Sequence, residues 1–192
     1  MNSIVIAFSG PIGSGKSTLS MLVSNTLGWP LASFGAYVRK TAEKYGFDKS
    51  RKGLQITGDF LISRGWKAFC EEVLTEANWK PGSNLVVEGI RHLEALETLM
   101  DIVIPAKLYL VYVSLNDVER ENRLKACKRD EHLNLEELEM HPTEEQVKTT
   151  LFNRADLVVD NNRTKDTVAS EIVAWIHSLQ VKANSLPRTE TK

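Results

Sequence analysis

The chain has 192 residues, of which 42% are hydrophobic and 26% charged, and its formal net charge is −1 at pH 7. This length suffices for one domain with a hydrophobic core, and a charge near zero argues against partners such as nucleic acid or anionic membranes. The two cysteines, Cys70 and Cys127, lack CxxC spacing, which favours a reduced, cytoplasmic protein. The longest apolar runs, such as residues 4–8, are too short for a bilayer, and no basic segment precedes that run, so we expect neither a membrane span nor a signal peptide.

Hydrophobic spacing predicts strands that alternate with helices along the whole chain. The wholly apolar residues 4–8 fit a strand covered on both faces, and residues 16–27 repeat apolar positions at helical spacing before Gly28. The other predicted strands cover residues 31–34, 84–87, 108–113 and 157–159. The other predicted helices cover residues 35–45, 51–78 (broken near Gly65), 93–100, 117–127 and 168–179. A further helix is predicted to start at Thr143, with Glu144 and Glu145 in its first turn.

This alternation predicts right-handed crossovers and a mainly parallel sheet. The expected fold is therefore α/β, in three α/β/α layers with a mainly parallel sheet of five strands. Ligands in such sheets bind beyond the carboxyl ends of the strands. The residues predicted at those ends are Ser9, Ser33, Glu88 and Ser114.

The segment SGPIGSGKST follows the first predicted strand. Residues 10–17 match G-x-x-x-x-G-K-[ST] over its full length, with a strand before and a helix after. Glycines let successive N–H groups turn toward one anion, Lys16 can reach the β- and γ-phosphates of ATP, and the Ser17 hydroxyl can ligate Mg²⁺. The alternative, a glycine-rich turn with an incidental lysine, is disfavoured because motif and context agree. The predicted ATP-binding residues of this segment are Gly10, Gly13, Ser14, Gly15, Lys16, Ser17 and Thr18.

A phosphate cradle alone serves ATPases, GTPases, kinases and switches. No NKxD-like stretch that would read guanine is present, and the chain is short for a large motor ATPase. A kinase needs, in addition, cations around the transferred phosphate and a held acceptor, because its catalysis is mostly positioning and charge neutralisation.

Two predicted strand ends supply residues for the acceptor side. Arg39, one turn into the helix after the second strand, can bind an acceptor phosphate, although an exposed helix arginine is the plainer alternative. Glu88 can hold Mg²⁺ through water or orient an attacking oxygen, Gly89 allows close backbone approach, and Arg91 can reach the acceptor. The structural alternative is that Glu88 caps the following helix and pairs with Arg91.

A third group of charges begins on the helix after the fourth strand. Arg120 and Arg123 share a helix face, and the cations that follow run into an acidic, irregular stretch. This pattern suits a lid over ATP at residues 128–142, while a solvated face with a Glu119–Arg123 pair is the alternative. The four histidines and Cys127 do not have zinc-site spacing, and no nucleophilic triad is indicated.

The segments GPIGSGKS, SFGAYVR, VVEGIRH, VERENRLKACKR and ADLVVDN occur in an order that resembles the P-loop nucleoside and nucleotide kinases, the group of adenylate, cytidylate and dephospho-CoA kinases. The resemblance implies the P-loop NTPase fold of the nucleoside monophosphate kinase type. It maps acceptor-binding arginines to Arg39 and Arg91, lid arginines to Arg120 and Arg123, and an adenine contact to Asn161. The chain departs from adenylate kinases, which have aspartate and proline before the second acceptor arginine.

We therefore predict an ATP-dependent phosphotransferase that acts on a nucleotide or nucleotide-like small molecule with Mg²⁺. Its expected catalytic residues are Lys16, Glu88, Arg120 and Arg123. Dephospho-CoA or another metabolite is an alternative acceptor, and an ATP-binding regulatory protein without kinase activity is an alternative class. A nucleic-acid kinase is disfavoured by the charge of −1 and the acidic residues 130–145.

The predicted organisation is a single domain over residues 1–182. Within it, residues 34–80 would form a helical acceptor-binding region. Residues 183–192 are polar, contain a proline and are expected to form a flexible tail.

Overall fold

The computed structural model describes residues 3–126 and 142–185. Its strands are β1 (Ile4–Ser9), β2 (Leu31–Ser33), β3 (Leu85–Glu88), β4 (Lys107–Ser114) and β5 (Leu157–Asp160). Its helices are α1 (Lys16–Leu27), α2 (Phe34–Tyr45), α3 (Arg51–Ser63), α4 (Trp66–Glu76), α5 (Leu93–Ile102), α6 (Asp117–Ala126), α7 (Pro142–Gln146) and α8 (Lys165–Ser185), with a π-helical turn at Val147–Leu151. Apart from Pro142, the predicted lid at 128–142 lies outside the described residues, as does most of the predicted tail.

The strands form one sheet in the order β2-β3-β1-β4-β5, and every neighbouring pair is parallel. The predicted parallel sheet of five strands is thereby confirmed. Because all strands run the same way, their carboxyl ends share one edge, which we call the carboxyl edge. Ser33 and Phe8 both pair in register with Glu88, so the ends of β1, β2 and β3 are adjacent there.

Side-chain alternation along β1 divides the core into two clusters. Ile4, Ile6 and Phe8 face a cluster that contains buried residues of α1 and α8, whereas Val5 and Ala7 face one built largely from α3, α4, α5 and the π-helical turn. All five of these β1 side chains are buried, as a strand covered on both faces requires. The result is the three-layer α/β/α fold that the alternation of elements predicts.

Most predicted element boundaries agree with the structure to within a few residues. Helix α1 covers the predicted residues 16–27 and ends at Gly28, which has a left-handed conformation. The predicted break near Gly65 separates α3 from α4. No helix within residues 3–126 or 142–185 has the length and apolar character needed to cross a membrane.

Candidate active site

Residues 10–17, the phosphate loop, connect β1 to α1 at the carboxyl edge. Gly10 and Gly15 both have positive φ, and their neighbours leave no room for a side chain. A Cβ on Gly10 would collide with the Val113 carbonyl, and one on Gly15 would lie 2.5 Å from Asn161 Nδ2. The glycines are therefore required both by backbone conformation and by space.

Two polar side chains of the loop are buried under conditions that favour an anion. The Ser14 hydroxyl is inaccessible and has no hydrogen-bond partner among the described residues. Lys16 is 8% exposed, and its Nζ donates to the Pro11 carbonyl at 3.2 Å. Burial and then the nearby charge of Arg91 lower the pKa of Lys16 to about 7, although Glu144 and Glu88 act in the opposite direction. A phosphate placed against this loop would supply the negative charge that Lys16 lacks, so the loop fits a phosphate ligand.

Glu88 lies at the end of β3 and joins two parts of the carboxyl edge. Its Oε2 accepts a 2.9 Å hydrogen bond from the Ser17 hydroxyl, and its Oε1 accepts a 2.6 Å hydrogen bond from the Ser33 hydroxyl. Ser33 also accepts the Ala36 N–H at 3.0 Å and so caps α2. A hydroxyl beside a carboxylate is the type of oxygen ligand that Mg²⁺ prefers, so Ser17 and Glu88 fit a magnesium site.

Arg91, three residues after Glu88, pairs with a carboxylate from elsewhere in the chain. Its Nη1 donates to Oε1 of Glu144 on α7, and Oε2 of the same carboxylate accepts the Ile12 N–H at 3.4 Å. The structural alternative of a Glu88–Arg91 pair is therefore wrong. The sequence signal at Glu144 is only that of an acid in a helix first turn, which Glu145 shares, so its place in the site cannot be read from the sequence.

Arg39 lies on the exposed side of α2, and its guanidinium folds back toward the start of the helix. A Cβ on Gly35 would be 3.4 Å from Arg39 Nη1 and 3.9 Å from Glu88 Oε1. The head groups of Arg39 and Glu88 thus flank Gly35 at the carboxyl edge. The structure brings the acceptor-side prediction, Arg39, to the same edge as the phosphate loop.

Arg120 and Arg123 on α6 contact the loop region. Arg120 is 2% exposed, and its Nε donates to the Ile12 carbonyl at 3.1 Å while its Nη1 pairs with Asp117 at 2.7 Å. Arg123 pairs with Glu119 at 3.1 Å and donates to the Asn161 carbonyl at 3.4 Å. Arg120 therefore braces the loop in this structure, whereas the sequence predicts that it covers the transferred group.

Asn161 follows β5 and is 4% exposed. Its Nδ2 donates to the Ser14 carbonyl at 2.7 Å, and its backbone N–H donates to the Ser114 carbonyl at 2.9 Å. The sequence predicts an adenine contact at Asn161, but the amide lies against the phosphate loop. The adenine contact therefore stays a prediction, and the contact that the structure shows for this side chain is the one to the loop.

Comparison with known proteins identifies a matching family and relatives by sequence. A family model described as an AAA domain matches residues 6–144. A UPF0200 protein of Pyrobaculum aerophilum is 29% identical over 160 residues, which are 82% of this chain and 87% of that protein. A cytidylate kinase of Pseudomonas putida is 39% identical over 66 residues, which are 33% of this chain but only 27% of that enzyme.

Solved structures with the same fold include two kinases. The shikimate kinase of Aquifex aeolicus superposes with a TM-score of 0.59 at 22% identity, over 92% of this chain and 98% of that one. A gluconokinase of Sinorhizobium meliloti superposes with a TM-score of 0.54 at 15% identity, over 96% and 98%. This chain thus has the fold of these two kinases.

Proposed function

We propose that this chain, which belongs to the AAA domain family, is a kinase that transfers the γ-phosphate of ATP to a nucleotide or nucleotide-like small molecule. The observation that carries the proposal is the position of Glu88. One buried carboxylate accepts hydrogen bonds from Ser17 of the phosphate loop and from Ser33, the cap of the helix that bears Arg39. A residue shared in this way couples the donor side of the site to the acceptor side.

The donor would be held by the phosphate loop. Its N–H groups and the first turn of α1 would bind the phosphates, and protonated Lys16 would neutralise charge on the β- and γ-phosphates. Ser17 directly and Glu88 through water would hold Mg²⁺, which when bound supplies further neutralisation of the phosphate oxygens. Arg120, Arg123 and Asn161 would act on the donor by bracing the loop.

The acceptor would be held by Arg39 and Arg91. An acceptor phosphate oxygen forms the new bond to the γ-phosphorus, the bond from that phosphorus to the β–γ bridging oxygen breaks, and ADP leaves. A phosphate acceptor is already ionised near pH 7, so no side chain need remove a proton from it. The protein's contribution is then positioning and charge neutralisation, which matches a site of arginines and one lysine.

A kinase for a hydroxyl-bearing metabolite is the second candidate. It is favoured by the likeness of the fold to the shikimate kinase and gluconokinase structures. In that case the attacking hydroxyl would have to lose a proton, and Glu88 would be the acidic side chain at the carboxyl edge that orients it. Dephospho-CoA would test this class, because its acceptor group is a ribose hydroxyl.

The test is phosphate transfer from γ-labelled ATP with Mg²⁺ to a panel of nucleoside monophosphates, nucleosides, shikimate, gluconate and dephospho-CoA. We expect transfer to one nucleoside monophosphate, abolished in Lys16→Ala. Arg39→Ala should raise KM for that acceptor without weakening ATP binding, and Arg91→Ala should raise KM for the same acceptor. Arg154→Ala, whose exposed side chain pairs with Glu97 at 3.7 Å, is the matched control and should behave as wild type. ATP binding without transfer to any acceptor would contradict the proposal.

A further inference from the structure

Glu144 is a buried carboxylate that accepts hydrogen bonds from two groups of the phosphate-binding region. It is 2% exposed, and its oxygens accept from Arg91 Nη1 and from the Ile12 N–H. Ile12 lies in the phosphate loop, and Arg91 follows β3 at the carboxyl edge. The Glu144 carboxylate is therefore an anion of the chain itself, and it lies where donors of the loop and of an arginine come together.

The position of this carboxylate is fixed by the packing of α7. Gln146 Oε1 accepts the Leu93 N–H at 3.0 Å, which attaches α7 to the segment that carries Arg91. Val147 and Leu151, which follow α7, are fully buried in the core. The packing of α7 and of the residues that follow it thus holds the Glu144 side chain against the phosphate loop.

The charges around Glu144 would be the same charges that a terminal phosphate meets. Lys16 is close enough that Glu144 raises its pKa, against the stronger effects of burial and of Arg91. Lysine in this motif reaches the β- and γ-phosphates of a bound nucleotide. A γ-phosphate and the Glu144 carboxylate would therefore be two anions that need the same hydrogen-bond donors. They would also repel each other, because like charges at short range in a buried site repel strongly.

On the basis of the proposed function, we propose that Glu144 competes internally with the γ-phosphate of ATP for Ile12 N–H and Arg91. Binding of ATP then requires the carboxylate to give up these donors, whereas binding of ADP does not. The exchange would also release Arg91 to bind phosphate. Glu144 is in this sense a specificity residue, because it sets how strongly the site prefers ATP to ADP.

The experiment measures Kd for Mg·ATP and Mg·ADP by calorimetry on the full chain. Glu144→Gln keeps the side-chain shape and removes the charge, so we expect Kd for ATP to fall about tenfold, a readily measured change in affinity. Kd for ADP should stay within about twofold of the wild-type value, because ADP has no group at this position. The matched control is Glu145→Gln, which removes the charge of the exposed neighbouring carboxylate, and its ATP-to-ADP ratio should be that of wild type.

Glu144→Asp provides a second variant, since it keeps the buried charge for folding and withdraws the carboxylate from Ile12. We expect a smaller increase in ATP preference, about threefold. Equal changes for ATP and ADP in both variants, or weaker ATP binding, would overturn the inference.

Failure of the two proposals can be told apart. An unchanged ratio in a chain that transfers phosphate contradicts only the role of Glu144, whereas a changed ratio without transfer to any acceptor contradicts only the kinase proposal. If neither nucleotide binds the wild-type chain, both are wrong.

Discussion

The side-chain amide of Asn161 donates a 2.7 Å hydrogen bond to the backbone carbonyl of Ser14, across a sequence separation of 147 residues. The same Nδ2 occupies the space that a Cβ on Gly15 would need. The last strand of the sheet thus supports the phosphate loop that follows the first strand. A side chain that contacts only protein can in this way determine the shape of a ligand site.

Replacing Asn161 should weaken nucleotide binding through the loop. Asn161→Ala leaves the buried Ser14 carbonyl without its donor, so we expect a loss of about 2 kcal/mol in the free energy of unfolding. Affinity for Mg·ADP should fall about tenfold because the loop is less well ordered. Urea unfolding and calorimetry measure both quantities. Asn162→Ala, at the exposed neighbouring position, is the control and should change neither quantity. Normal ADP affinity in Asn161→Ala would show that the contact between Asn161 and Ser14 does not contribute to nucleotide binding.

Ser33 should affect catalysis in addition to helix stability. Ser33→Ala removes the N-cap of α2 and one hydrogen bond to Glu88, and we expect a loss of about 1 kcal/mol from the cap. Ser50 caps α3 in the same manner, by accepting the Gly53 N–H, whereas the hydroxyls that donate to Glu88 are those of Ser17 and Ser33. Ser50→Ala should therefore lose comparable stability but transfer phosphate normally, while Ser33→Ala should transfer about tenfold more slowly. Equal rates in the two variants would mean that the Ser33–Glu88 contact has no catalytic role.

Lys16 should destabilise the folded chain in a pH-dependent way. Its folded pKa of about 7 is below the ordinary 10.5, so the unfolded state binds more protons between these values and stability rises with pH across that window. Lys16→Met should therefore stabilise the chain by about 4 kcal/mol below pH 7, after allowance for the lost hydrogen bond to Pro11. The gain should shrink as pH rises and vanish above about pH 10.5. Chemical unfolding of both proteins from pH 6 to 10.5 measures the difference, and a gain independent of pH would show that the buried charge is not its cause.

Cys70 should be unreactive while the chain is folded. Burial, with a smaller effect of Glu71, raises the pKa of Cys70 to about 12, so very little thiolate exists at pH 8. In a Cys127→Ser background, we expect no reaction with a disulfide reagent in native buffer and full reaction of Cys70 in guanidinium chloride. Fast native labelling would contradict the burial of this side chain in the core.

Local features of the chain were sufficient to predict its elements and its phosphate loop. Helix α1 and the alternation of strands with helices follow from the spacing of apolar residues, which is set by 3.6 residues per turn in a helix and two in a strand. The loop motif is complete within residues 10–17, because a cradle of backbone N–H groups is built by adjacent residues and their permitted dihedral angles. These properties depend on neighbours in sequence, so the sequence contains them.

The partners of the charged residues depended instead on the tertiary structure. Arg120 contacts the loop across 108 residues and Glu144 across 132, and nothing in the local pattern separates Glu144 from Glu145. These contacts arise because the order β2-β3-β1-β4-β5 gathers the ends of parallel strands, together with the segments that follow them, at one edge. The sequence by itself determined which residues could bind phosphate. The packing of strands and helices decided which of them contact the phosphate loop and which carboxylate pairs with Arg91. The reason is that the burial and pairing of a charge are set by groups distant along the chain.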